Sequence, residues 1–76
     1  MDAMSAIKRM AELSNTPLMH IGRKMGVSDN YVNKTITRGS KPRIDTVARM
    51  ASVCGYGLYL IPEKEAPQDA IQITND

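Results

Sequence analysis

One cysteine, one histidine and no long apolar run: these scarcities in a 76-residue chain each remove a class of function. A lone cysteine forms no internal disulfide and anchors no cysteine-based zinc cluster. A lone histidine, with no activated nucleophile and no paired carboxylates, leaves no general acid–base or nucleophilic machinery, so no enzyme activity is expected. No apolar stretch approaches the roughly 20 residues that cross a bilayer, and the N-terminus lacks the apolar segment of a secretory signal. A cytoplasmic protein with no membrane association is the expectation. Six methionines are present, of which Met10, Met25 and Met50 fall on helical apolar stripes, where methionine serves as core filler. Without a His, Cys or Met cluster there is no metal-ligand spacing, and neither metal nor cofactor is expected.

What is there is one small domain. At 42% hydrophobic content the chain buries a thin core, and domains of this size often gain stability by oligomerising. The net charge of +2 hides a division: residues 1–62 hold nine Lys and Arg against four Asp and Glu, and residues 63–76 hold one against four. The body is therefore basic and the tail acidic. Lys34, Arg38, Lys41 and Arg43 fall within ten positions, a density that suits a polyanion surface and also an ordinary solvated basic face.

Hydrophobic periodicity divides the body into four helices. Ile7, Met10, Ala11 and Ser14 share one face of a first helix over about residues 3–14, which Asn15 ends. Thr16-Pro17 reads as the start of a second, carried by Leu18, Ile21, Gly22 and Met25 and stopped by Gly26. Ser28 is the capping candidate for a third helix, with Asp29 in its first turn. That helix runs through Val32 and Ile36 to Arg38, closed by Gly39 and followed by the loop Ser40-Lys41-Pro42. Ile44, Val47, Ala48, Met50, Ala51 and Cys54 form the stripe of a fourth helix ending at Gly55. The period then changes. Residues 56–61, YGLYLI, read as one β-strand closed by Pro62. A lone strand needs a partner for its backbone groups, and the same strand of a second copy is the simplest one. The dimerisation residues are then Tyr56, Leu58, Tyr59, Leu60 and Ile61. Residues 63–76 form an acidic tail, read as flexible from its composition, in which Ile71-Gln72-Ile73 offers a segment for a protein partner.

The third helix is the anomaly. Asp29, Asn30, Asn33, Lys34 and Thr37 dominate its polar side, although Asp, Asn and Thr are poor helix formers. Two helices joined by a tight turn, the second carrying short polar groups and followed by a basic loop, have the layout of a helix-turn-helix. Asn offers adenine a donor and an acceptor together, and Lys donates to guanine. The segment PLMHIGRKMGVSDNYVNKTITRGSKPRIDTVARMASVCG resembles the Cro and lambda-repressor type of helix-turn-helix domain, the xenobiotic-response-element family, over residues 5–55. The matching positions are Ile21-Gly22, Met25-Gly26-Val27-Ser28, Tyr31-Val32, Arg38-Gly39 and Ile44-Asp45-Thr46-Val47. In two places the chain departs from the pattern: Leu18 stands where the family places a phosphate-binding glutamine, and Thr35 where it places an aliphatic core residue.

The resemblance implies an all-α fold of four helices, or five, and a DNA-binding, usually dimeric, regulator whose third helix reads bases. It places base readout on Asp29, Asn30, Asn33 and Lys34. Backbone contacts then fall to Ser28, Tyr31, Thr37, Arg38, Ser40, Lys41 and Arg43, with Tyr31 able instead to pack at the turn. The 56–61 segment is also similar to the strand through which some family members, among them DNA-binding antitoxins, dimerise. The expected partners are double-stranded DNA and a second copy. An interaction module or antitoxin whose strand or tail docks a protein, DNA binding being secondary, is the alternative.

Overall fold

The structure, a computed structural model, describes residues 1–74. Four helices make an all-α domain: α1 is Ala3–Leu13, α2 Leu18–Lys24, α3 Tyr31–Thr37 and α4 Ile44–Val53. α1 starts where the Asp2 carboxylate accepts from the Ser5 amide at 2.9 Å, a side-chain cap that satisfies one of the helix's open donors. It stops at Asn15, which adopts a left-handed φ of 59°. The Thr16 amide then donates back to the Ala11 carbonyl at 2.9 Å. Gly26, Gly39 and Gly55 close α2, α3 and α4 by the same return of the chain. Each connection is thereby turned tightly.

The apolar faces converge on one core. Met4, Ile7, Met10 and Ala11 from α1 meet Ile21 of α2, Val32 of α3, Val47, Met50 and Ala51 of α4, and Cys54. Ile21, Val32 and Met50 are wholly buried. Each such side chain stabilises the fold by roughly 2 kcal/mol relative to its exposed state. α2 packs on α3 and α1 on α4, with α1 also touching α3 and α4 touching α2. Cys54 is buried and unpaired.

Along the helices the structure differs from the sequence expectation at three places. Thr16 does not cap α2: its hydroxyl bonds Ser14 at 2.9 Å, and Pro17 occupies the cap position with an extended ψ of 143°. α3 begins at Tyr31 rather than Ser28, because residues 28–30 form a turn in which the Tyr31 amide donates to the Ser28 carbonyl at 3.1 Å. Ile44 is 75% exposed and Ala48 is exposed too, so the buried stripe of α4 is narrower than the hydrophobic one. Residues 44 and 48 lie one turn apart on the same flank, beside the buried row of Val47, Ala51 and Cys54.

No strand is present among the described residues. Residues 56–61 carry no regular secondary structure, and Leu60 and Tyr59 are 99% and 82% exposed. The acidic tail, after a 3₁₀ turn at Glu63–Glu65, runs back over the body. Ile71 packs against the core, and the Thr74 amide donates to the Met1 carbonyl at 2.7 Å.

Gly22 sets how closely α2 and α3 approach. A Cβ at this position would lie 2.5 Å from the Ser28 carbonyl oxygen, a backbone atom that cannot swing aside. Gly22→Ala is expected to destabilise the domain by about 2 kcal/mol, in the range of small-to-large changes in packed sites. Chemical denaturation monitored by circular dichroism measures it. A variant as stable as the parent contradicts the close approach.

Candidate nucleic-acid interface

The turn between α2 and α3 is closed from both sides. From within, the Val27 amide donates to the Gly22 carbonyl at 3.0 Å and Gly26 supplies the left-handed φ of 77° that reverses the chain. From outside, Arg23 and Asp29 form a two-pronged ion pair: Nε donates to Oδ1 at 3.0 Å and Nη2 to Oδ2 at 2.9 Å. Parallel donation from a planar guanidinium fixes orientation as well as distance. Arg23 lies in the last turn of α2 and Asp29 two residues before α3, so the pair spans the turn. A third tie comes from α4, where Arg49 Nη2 donates to the Met25 carbonyl at 3.2 Å. That oxygen belongs to the open C-terminal end of α2, where a cation is favourably placed.

These ties hold α3 with Val32 down in the core and its polar residues outward. Asn33, Lys34 and Thr37 are exposed on the helix, and Asn30 is exposed at its cap position. No hydrogen bond among the described residues engages the side chains of Asn30, Asn33 or Lys34. Thr37 is different: its hydroxyl donates to the Asn33 carbonyl at 2.9 Å, one turn back. Thr35 does the same to the Tyr31 carbonyl at 2.8 Å. This explains how a threonine stands at an expected core position. It is only half-buried, its hydroxyl is satisfied by its own helix, and Ile36 beside it packs on the core instead.

The remaining predicted residues surround α3. Ser28 is exposed in the turn, and its carbonyl is the atom that faces Gly22. Tyr31 is half-buried against the core, so its ring packs at the turn. Arg38, Ser40, Lys41 and Arg43 are all exposed between α3 and α4. Arg43 Nη2 is tied to Asp45 Oδ2 at 3.1 Å, leaving Arg38 and Lys41 as the uncompensated cations of this loop among the described residues. Lys34, Arg38 and Lys41 thus form one exposed basic run along the end of α3 and the loop after it. Exposed amide donors and acceptors beside exposed cations are what a polyanion with readable edges would meet.

Comparison with family models, curated proteins and solved structures finds no match to this chain. The site is therefore read from its own geometry.

Two contributors escape sequence reasoning. Arg23 and Asp29 are six apart, a separation that matches no helical row, and only the turn geometry brings them together. Arg49 reaches the end of α2 from a helix 24 positions away. Asp29 itself was expected to face bases, and the structure engages both of its carboxylate oxygens with Arg23.

That engagement has a titration signature. The Asp29 carboxyl is held below the usual carboxylate range, first by the hydrogen bonds from Arg23 and also by its charge, while Arg23 is raised by the same contact. A depressed folded-state pKa stabilises the fold above the unfolded value near 4 and loses that contribution as pH falls through the folded value. Carbon-detected NMR titration of the folded protein should find Asp29 titrating below ordinary aspartates, and Arg23→Gln should return it to their range. An Asp29 that titrates normally in the parent protein contradicts the clamp.

Proposed function

We propose that this chain is a sequence-specific double-stranded DNA-binding transcriptional regulator of the Cro and lambda-repressor helix-turn-helix type, a repressor in its simplest form. The observation that carries this reading is the α2–α3 unit: a helix clamped at its start by Arg23–Asp29 and Gly22, displaying Asn30, Asn33 and Lys34 outward beside Arg38 and Lys41. A major groove admits one such helix, and amide side chains there match adenine while Lys matches guanine. Asn30, Asn33 and Lys34 carry base readout, and Asp29, already paired, holds the turn and keeps its own charge away from phosphates. Ser28, Thr37, Arg38, Ser40, Lys41 and Arg43 lie along the backbone.

The protein acts as a homodimer, with residues 56–61 of two copies pairing as strands. Support comes from the exposure of Tyr59, Leu60 and Ile61 in a segment of strand-like composition that has no ladder partner among the described residues. Exposed apolar side chains on an open edge favour pairing with another edge. Two copies related by a two-fold axis would read a pseudo-palindromic operator. The same apolar edge also favours a second reading, an antitoxin or interaction module in which it docks a different protein and DNA binding is autoregulatory.

Salt separates the readings. For a DNA-binding role, log affinity falls linearly with log salt at about −0.9 per phosphate contact, and Lys34→Ala or Arg38→Ala each reduces the slope by about one. Affinity that is absent or independent of salt overturns the DNA reading. In sedimentation, Leu58→Asp with Leu60→Asp should convert a dimer to monomers. A dimer that survives both changes places the interface elsewhere.

A further inference from the structure

Between α1, α4 and the returning tail lies a cavity of about 420 Å³, a volume within the roughly 300–1,000 Å³ of small-molecule sites. Its floor is the core itself, with Ile7, Met10 and Ala51 among the lining residues. Its walls come from residues 56–61 and 67–73. The lining is chemically lopsided. Two of the chain's three tyrosines, Tyr56 and Tyr59, contribute to it, and Asp69 is the one charged side chain among the described residues that line it. No lysine or arginine is among the described residues that line it, although the body of the chain is basic.

The position of Tyr59 is held by its neighbour. A Cβ on Gly57 would stand 2.7 Å from the Tyr59 ring and 2.9 Å from its hydroxyl oxygen, so the hydroxyl end of the ring packs against a residue that has no side chain to exclude it. Aromatic faces attract cations through their quadrupole, at solvent-exposed rings as well as enclosed ones, and Tyr59 is 82% exposed. An apolar floor, two tyrosine rings and a single carboxylate are complementary to a cation that carries apolar bulk. An anion would meet Asp69 with no compensating positive group among the described lining residues, and a neutral apolar molecule would gain nothing from that exposed carboxylate.

We propose that this cavity is a binding site for lipophilic cations, small molecules in which a quaternary ammonium or phosphonium centre is shielded by aromatic or aliphatic groups. Tyr56 and Tyr59 face the cation, Asp69 balances its charge, and Ile7, Met10 and Ala51 receive its apolar part. The inference rests on the cavity alone. It holds whether or not the chain binds DNA.

Isothermal titration calorimetry on the full chain, without DNA and in its own oligomeric state, tests it with two ions of nearly equal size and opposite charge. Tetraphenylphosphonium is expected to bind roughly fivefold more tightly than tetraphenylborate, the scale of one exposed cation–π contact. The chain's net positive charge favours the anion at the general surface, so a preference for the cation reports a specific site. Asp69→Asn should remove most of that preference. Gly57→Ala, which pushes the Tyr59 ring off its seat without touching the helices, should weaken tetraphenylphosphonium binding several-fold. Equal binding of the two ions, a preference unchanged in Asp69→Asn, or no binding of tetraphenylphosphonium overturns the proposal.

Discussion

The backbone of α2 and the Ser28 carbonyl approach each other at Gly22 more closely than any residue with a side chain allows, and the presentation of α3 depends on that approach. With Gly22 buried and Ile21 wholly buried beside it, α2 is seated on the core and against the turn at once. Val32 then anchors α3 to the same core from the other side of the turn. The α2–α3 angle is a packing result, held by contacts that permit little adjustment because interiors are close-packed. Arg23–Asp29 and the Arg49 bond to Met25 secure the turn at its surface, where an exposed ion pair by itself is worth little. Their value here is directional: they fix how the start of α3 is oriented.

The polar face of α3 is then less costly than its composition suggests. Thr35 and Thr37 satisfy their hydroxyls on the preceding turn, and Asn30 stands at the cap position, outside the helix proper. Only Asn33 is a poor helix former in the interior of the helix with no bond to show for it among the described residues. A residue that costs helix stability and points outward beside Lys34 is understandable if its amide is wanted by a ligand. The basic loop after α3 is consistent with the same demand, since Arg38 and Lys41 extend positive charge from the helix end without acidic partners among the described residues.

Much of the fold was legible because hydrophobic spacing and chain-reversing residues agree. The stripes of α1 and α2, Val32 in α3 and the stops at Asn15, Gly26, Gly39 and Gly55 all stand where periodicity and left-handed propensity place them. What was not legible depends on distance in space. The start of α3 shifted because Ser28 to Asn30 prefer a turn whose closing bond comes from the backbone. Ile44 looked like core because hydrophobicity says nothing about which side of a helix has a neighbour. The Arg23–Asp29 pair was hidden by a spacing that no regular element brings together, and it engages both carboxylate oxygens of one expected reader. The 56–61 segment has strand composition but no ladder among the described residues, because a ladder there needs a second edge. The acidic tail, polar by composition, is drawn back where Ile71 packs against the core and Thr74 bonds Met1, contacts that composition alone does not reveal.

Selection of bound duplexes from a random DNA pool tests the central claim most directly, because binding, sequence, symmetry and spacing emerge together. The account predicts an enriched pseudo-palindrome whose half-sites lie about one helical turn apart, roughly 34 Å, or a multiple of it. It further predicts that Asn33→Ala relaxes the sequence within each half-site while Lys41→Ala leaves the sequence unchanged and lowers the yield. A pool that shows no enrichment, or an enriched site whose sequence is indifferent to every α3 substitution, would contradict it.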